Sequence, residues 1–479
     1  MAVACGAQAN GAGGGSVDAG GANDAGDAGE SGTAGDTGSG GDAGPPTCAW
    51  AAKNSAATCA AGPCPIVLDE ELRCSDTEFA APGLRVAPAP DATWLATSST
   101  NERIVYRLTS TSQQLEDGVP PGFLRTTMSL ALGADGAVHL GADTTAIGQS
   151  DAGLTYNGGA SYAAFGNGTW ASSLVHHNQG RYTPVVDLEV GSDGVPRMWI
   201  VSDPPSGYSM ATPSAGGTWA LASAALPVPT STGLLYRFTL ASDGSVVALA
   251  FDGSSQLRAL VGSTPRAVGS PASSPVPDYS VTAAPAPATP AGPLFAVAIA
   301  HGDGIHVVGE SAQAPETEVT VSGAKPATPT CVTPTGTATC SGTCHETSSG
   351  MEARAFALAW TDDGVAWLVY VVTTFDQTIA YGPQGDPGGQ FCVGNVSQDA
   401  STGTLHVVRV ALDGSAPKEV LSMPIDRPGN GNAFQPLGDF DDPRFVDARG
   451  FAKDLAIGVR TGWFGSNAVR VVRLDTTNL

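Results

Sequence analysis

The stretch FTLASDGSVVALAF at 238–251 decides the fold: an apolar segment, a turn at Asp243-Gly244, and a second apolar segment. Asp-Gly is a strong hairpin signal, because Asp tolerates and Gly readily adopts the positive φ of a tight turn. The pattern recurs as LALGADGAVHL at 130–140, LEVGSDGVPRMWIV at 188–201, AIAHGDGIHVV at 298–308, LAWTDDGVAWLVYV at 358–371 and VRVALDGSAPKEVL at 408–421. The turn glycines Gly136, Gly194, Gly244, Gly304, Gly364 and Gly414 are 58, 50, 60, 60 and 50 residues apart. A mean interval of about 56 residues suits one four-stranded antiparallel sheet with its connections.

Such a sheet has two apolar faces and cannot stand alone. Stacking the units radially buries both faces and protects most edges, which is the logic of a β-propeller. The expected fold is therefore all-β, a propeller of six or seven four-stranded blades over 84–479, with an imperfect unit at 445–474 making the seventh. A strand around 103–108 is expected to close the ring with strands from the C-terminus. Tandem β-sandwiches would explain the strands but not six similar turns at blade spacing. Gly168-Thr169-Trp170 and Gly217-Thr218-Trp219 add a second recurrence, in which an inward Trp packs one sheet on its neighbour. Inserted loops are expected at 265–293, which is rich in Pro, and at 311–350, which carries three cysteines and reaches toward Cys392.

These strand–Asp-Gly–strand units and Gly-x-Trp segments resemble bacterial propellers of the sialidase-like and BNR-repeat type, over about 80% of the chain. The resemblance implies the fold but no reaction. The Asp-box of that family is Ser-x-Asp-x-Gly-x-Thr-Trp, whereas here Asp and Gly are adjacent, as in Ser192-Asp193-Gly194. Its arginine triad, tyrosine nucleophile and acid/base aspartate have no matching segment, so no catalytic residue is assigned.

Ahead of the repeats, residues 1–5 end in Ala2-Val3-Ala4-Cys5, which resembles the lipobox of bacterial, myxobacterial-like exported lipoproteins. That resemblance implies lipidation of Cys5, a true start upstream of Met1, and anchoring at the outer membrane or another extracytoplasmic site. Residues 6–47 read as a disordered tether of Gly, Ala and dispersed Asp, with almost nothing apolar to offset the entropy of ordering. A Gly-rich chain of about 40 residues spans roughly 35 Å root-mean-square. Residues 48–83 read as a small cysteine-rich cap. Beyond Cys5, the chain has Cys48, Cys59, Cys64, Cys74, Cys331, Cys340, Cys344 and Cys392, an even number in two groups. Such grouping fits disulfides in an oxidising compartment, with three pairings open in each group.

Charged residues make up only 14% of the chain, against roughly 25% in an average soluble domain. The formal net charge is −23 with no basic patch, which excludes nucleic acid and leaves membrane contact to a lipid anchor alone. No nucleophile elbow, phosphate loop or zinc-protease motif occurs, and no cofactor is implied. The local constellation with most chemistry is His301-Gly302-Asp303-Gly304-Ile305-His306. If Asp303-Gly304 is the two-residue turn, His301 and His306 are cross-strand partners within reach of one metal ion, with Asp303 helping. Arg197 and Trp199 are the other candidate ligand contacts. The six Asp-Gly tips are expected to ring one face of the disc. The function expected is a tethered binding or interaction module for a glycan, a protein or a divalent cation; the alternatives are an exported carbohydrate-active hydrolase or lyase and a structural envelope component.

Overall fold

The computed structural model describes residues 48–479 apart from 54–55, 61, 75–78, 100–102, 117–127, 151–152, 180–184, 203–206, 230–233, 270, 272–277, 284–292, 302–303, 312–316, 322–330, 332–339, 385–390, 426–445 and 462–466. The tether and Cys5 lie outside the described residues.

The chain forms a β-propeller of seven antiparallel blades. Blade 1 holds Phe79–Ala89, Ala92–Ser99, Arg103–Leu108 and Gln113–Leu115. Blade 2 holds Met128–Leu132, Val138–Ser150, Gly153–Gly166 and Thr169–Gln179. Blade 3 holds Val185–Val190, Pro196–Ser202, Gly207–Pro213 and Trp219–Ser223. Blade 4 holds Leu234–Leu240, Val246–Phe251, Leu257–Val261 and Thr264–Val268. Blade 5 holds Asp278–Ala283, Pro293–His301, Gly304–Ser311 and Thr317–Val321. Blade 6 holds the long strands Gly342–Trp360, Ala366–Gln384 and Phe391–Val410, then Lys418–Ile425. Blade 7 holds Val446–Phe451, Asp454–Thr461, Asn467–Asp475 and, from the other end of the chain, Ile66–Cys74.

The first-named strand of each blade is innermost and touches its counterparts on both sides, so the ring closes. Alternate residues of one strand serve opposite interfaces. In Val246–Phe251, Val247, Leu249 and Phe251 pack toward blade 5, while Ala248 and Ala250 pack toward blade 3. That is why these strands read as continuous apolar runs and not as an alternation. Each of the seven interfaces holds its own cluster of buried side chains.

Closure differs from the expectation. Arg103–Leu108 pairs only inside blade 1, and it is Ile66–Cys74 that pairs with Asn467–Asp475. The stretch expected to stand as a cap thus supplies strands to the ring. Cys48–Ala52 adds a fifth strand to blade 7, and Thr58–Cys59 adds one to blade 6. Phe79–Ala89 starts blade 1 ahead of residue 84. The expected loop at 265–293 contains the outer strand of blade 4 and the inner strand of blade 5, because Pro265 sits on an outer edge where its missing N–H costs no ladder bond.

The turns also correct the backbone reading. Gly136, Gly194, Gly244 and Gly364 have φ between +71° and +81°, whereas their aspartates keep negative φ. Each glycine N–H donates three residues back, to the carbonyls of Gly133, Gly191, Ala241 and Thr361, at 2.8–3.0 Å. This is a type I turn closed by a left-handed glycine. The aspartate acts through its side chain: Oδ1 of Asp135, Asp193 and Asp243 accepts the N–H two residues on at 2.9–3.0 Å.

Asp135, Asp193, Asp243 and Asp363 lie between first and second strands, and Asp413 between third and fourth, so these five share one face of the disc, here called the turn face. His301 and Gly304 end the second strand and begin the third strand of blade 5, at the other face. The ring of six tips is therefore not formed.

Candidate functional site

The innermost strands carry free backbone edges toward the axis, and an unpaired buried N–H is costly. A recurrent side-chain acceptor supplies the partner. Ser129 Oγ accepts the Leu188 N–H at 3.0 Å, Asp187 Oδ2 accepts the Phe238 N–H at 2.8 Å, and Asp447 Oδ2 accepts the Val86 N–H at 2.8 Å. Each bond runs from one blade to the next around the ring. Arg85 and Arg237 stand directly before two of the donated groups and are themselves buried. Nearer the turn face, Arg449 of blade 7 reaches Glu189 of blade 3 at 3.3 Å, and the Thr239 hydroxyl approaches the same carboxylate oxygen at 3.5 Å. Blades 3 and 7 are not neighbours, so this ion pair crosses the axis. Arg85 and Arg237 donate to the backbone carbonyls of Leu84 and Tyr236 at 2.8 and 2.9 Å, while Arg449 is ion-paired with Glu189. One oxygen each of Asp187, Asp447 and Glu189 is thus engaged in a contact that joins two blades.

The second concentration of chemistry lies between the blades, toward the rim. The two Gly-Thr-Trp segments open the outer strands of blades 2 and 3, and both tryptophans are half-buried, as expected of residues that pack one sheet on the next. Trp170 meets Trp94 of blade 1 edge-on at 5.6 Å and its own register partner Phe165 at 5.4 Å. Its indole N–H donates to Glu116 at 3.2 Å. The Arg107 guanidinium lies 6.0 Å from the Trp94 ring and 5.7 Å from the Phe165 ring, and it is paired with Asp91. At the next junction Trp219 stands 5.0 Å from Tyr162 and donates to the Ser173 hydroxyl at 2.9 Å. His139 Nδ1 and the Tyr162 hydroxyl are 2.5 Å apart. Burial lowers the His139 pKa, with nearby Asp135 opposing, and burial pushes Tyr162 up to about 12. Both groups are therefore neutral hydrogen-bonding groups near pH 7.

The residues singled out from sequence fare differently. Trp199 is fully buried, stacked on Phe238 at 5.5 Å between blades 3 and 4, because its strand has no solvent face. It cannot be a surface contact without the ring opening. Arg197 is held by Asp193 in a two-pronged pair at 2.8 and 3.1 Å. That pair raises the Arg197 pKa and draws Asp193 down to about 2. His301 pairs in register with Gly304, and His306 with Ile299, so the histidines are not cross-strand partners. The pairing thus ends at His301 and Gly304, a register one residue earlier than the sequence suggests. His306 is buried, with its Nδ1 3.2 Å from the Thr320 hydroxyl. Asp303 lies outside the described residues, and no group of three or more His, Cys, Asp or Glu that could hold a metal occurs among the described residues.

The cysteines form three described disulfides, Cys59–Cys64, Cys331–Cys344 and Cys340–Cys392. The last ties the 311–350 region to the third strand of blade 6. Cys48 is also disulfide-bonded, and Cys74 lies opposite it in register.

Sequence reading missed Arg107, Glu116 and the axial set. A signal existed for the latter: Ser129, Asp187 and Arg237 each stand seven residues before their turn glycine. It also missed Asp252-Gly253, a further tip in which Asp252 accepts the Ser254 and Gln256 N–H groups.

No family model and no curated protein matches the chain in sequence. Similar solved structures include the SapL1 lectin in complex with alpha methyl fucoside, at 10% identity over 67% of this chain and 98% of that one, TM-score 0.35. The WD40 domain of SCAP from fission yeast is similar at 9% identity over 90% and 98%, TM-score 0.36. Trypanosoma rangeli sialidase is similar at 7% identity over 84% and 92%, TM-score 0.33. The propeller architecture itself is read from the strand pairing and ring closure of this chain.

Proposed function

We propose that this propeller is an extracytoplasmic binding module whose partner, a glycan or a protein, is engaged at the inter-blade clefts of blades 1–3 and not at the axis. One observation carries the reading: two equivalent segments place half-buried tryptophans at successive junctions, beside groups such as Tyr162 and His139 that can hydrogen-bond a ligand. Binding sites characteristically combine aromatic surface with a few placed polar groups. Crossing of the axis by Arg449 and Glu189 is consistent with a ligand site elsewhere. Three disulfides support an oxidising compartment, since cytosolic thiols are kept reduced. In this reading Cys5 is the lipid anchor and residues 6–47 are the spacer that holds the body off the membrane.

Ligand-dependent hydrogen exchange on the full chain, against glycans and divalent ions, tests the site. Protection is expected in Gly153–Gly166, Thr169–Gln179 and Trp219–Ser223. Protection confined to the axial strands, or to 265–293, would overturn it. Acyl labelling after expression from an extended upstream start tests the anchor, and equal labelling of wild type and C5S would remove it.

A further inference from the structure

We infer that the ligand of these clefts is an uncharged polysaccharide, held at three consecutive junctions at once. This rests on the binding-module reading and adds its chemical class and valency. Between blades 7 and 1, half-buried Trp50 meets Tyr106 edge-on at 5.2 Å, and Leu115, the register partner of Tyr106, is 48% exposed. Between blades 1 and 2, Trp170 shares its strand with Leu174, which is 56% exposed. Between blades 2 and 3, Trp219 is followed two residues on by Leu221, which is 42% exposed. Val67 is the one other large apolar side chain so exposed among the described residues. Three of the four large apolar side chains so exposed among the described residues thus lie on strands at tryptophan-bearing junctions of adjoining blades.

The charge pattern sets the ligand class. The strands Cys48–Ala52, Gln113–Leu115, Thr169–Gln179 and Trp219–Ser223 contain no Asp, Glu, Lys or Arg. The outer strands of blades 4, 5 and 6 do, with Arg266, Glu318, Lys418 and Glu419. Of the charges bordering these junctions, Arg107 is paired with Asp91 and Lys53 with Glu71 at 2.8 Å, whereas Glu116 accepts the Trp170 indole N–H and Glu70 hydrogen-bonds Gln113. A chain of net charge −23 repels polyanions, and the cations Arg107 and Lys53 that border these clefts are already held by Asp91 and Glu71. A neutral sugar ring matches what is present, with an apolar C–H face for indole and leucine and a hydroxyl edge for Ser173, His139 and Tyr162. Repetition on successive blades favours a ligand that itself repeats, because linked weak sites gain about 10²- to 10⁴-fold in avidity without new contacts.

The test is calorimetry and affinity electrophoresis of the full chain with dextran, a mixed-linkage β-glucan, a mannan and a xylan, against alginate and polygalacturonate. At least one neutral polymer is expected to bind about 100-fold tighter than its own hexasaccharide, and the polyuronates not at all. W50A, W170A and W219A should each weaken polymer binding by about tenfold while lowering hexasaccharide stoichiometry from three to two. Because a tryptophan deletion can loosen a blade, the exposed-residue variants L115N, L174N and L221N, with unchanged thermal unfolding, should show the same graded loss. Equal binding of polyuronates, or one variant abolishing binding while the others are silent, would overturn the inference. A purified protein ligand that is lost with these same variants, with no polymer bound, would leave the binding-module reading standing and remove the polysaccharide.

Discussion

Asp69 and Arg470, 401 positions apart in the chain, form a two-pronged ion pair at 2.8 and 2.9 Å with side chains only 8% and 3% exposed. Asp69 lies on the strand that enters from the N-terminal side, and Arg470 on the C-terminal strand it pairs with. Arg470 also donates to the Pro424 carbonyl of blade 6 at 3.1 Å. One guanidinium therefore joins ring closure to the neighbouring blade.

Removing one partner of a buried pair leaves an uncompensated charge, which costs about 3–5 kcal/mol. D69N and R470M are each expected to destabilise by that order in urea unfolding. The double variant D69L/R470M should recover part of the loss. If D69N is neutral, the closing strand is held by its backbone ladder and apolar face alone.

The hairpin tips predict an acid limb. Asp193 is drawn down to about 2 by the hydrogen bond from Arg197 and by the Val195 N–H. A depressed carboxylate contributes stability that is fully present above its unfolded pKa, about 4. That contribution is lost as pH falls toward 2. Carbon-detected NMR titration should place the Asp193 carboxyl near 2, and R197M should raise it toward the ordinary value. Asp243 and Asp413, lowered by their bonds to Ser245 and Ser415, should titrate below ordinary aspartate as well.

Two turn glycines separate backbone strain from crowding. At Gly194, φ is +71° and an added Cβ would meet nothing within 4 Å, so G194A should cost only the left-handed penalty, about 1–2 kcal/mol. At Gly136, with φ +79°, the Cβ would lie 2.6 Å from Pro90 Cδ and 2.7 Å from Cγ. The proline ring cannot swing aside, so G136A should lower the melting temperature clearly more than G194A.

The disulfides should differ in weight. Chain-entropy reasoning gives about 4 kcal/mol for the 52-residue separation of Cys340–Cys392 and about 2 kcal/mol for the 5-residue separation of Cys59–Cys64. C340S/C392S should therefore destabilise more than C59S/C64S. Alkylation of the unfolded, unreduced protein should find no thiol at Cys59, Cys64, Cys331, Cys340, Cys344 or Cys392. Four alkylated sites in protein from its native compartment would contradict the pairing.

The sequence by itself determined the β-propeller, because local chemistry repeats: an apolar run, an aspartate able to cap a turn, and a glycine able to take positive φ, at the first hairpin of blades 2, 3, 4 and 6 and again at the last hairpin of blade 6. The Gly-Thr-Trp segments likewise announced their packing role. What only tertiary structure decided were relationships between blades. Nothing local distinguishes Trp199, fully buried against Phe238, from Trp170, which is half-buried at the junction of blades 1 and 2. Nor could spacing reveal that His301 and Gly304 pair between the second and third strands of blade 5, unlike the first-to-second hairpins of blades 2, 3, 4 and 6. Ring closure by Ile66–Cys74 joins segments some 400 residues apart through Asp69 and Arg470, and no window of sequence contains both. Turns are set by the torsions of a few adjacent residues, whereas exposure, charge pairing and closure depend on which blade stands alongside.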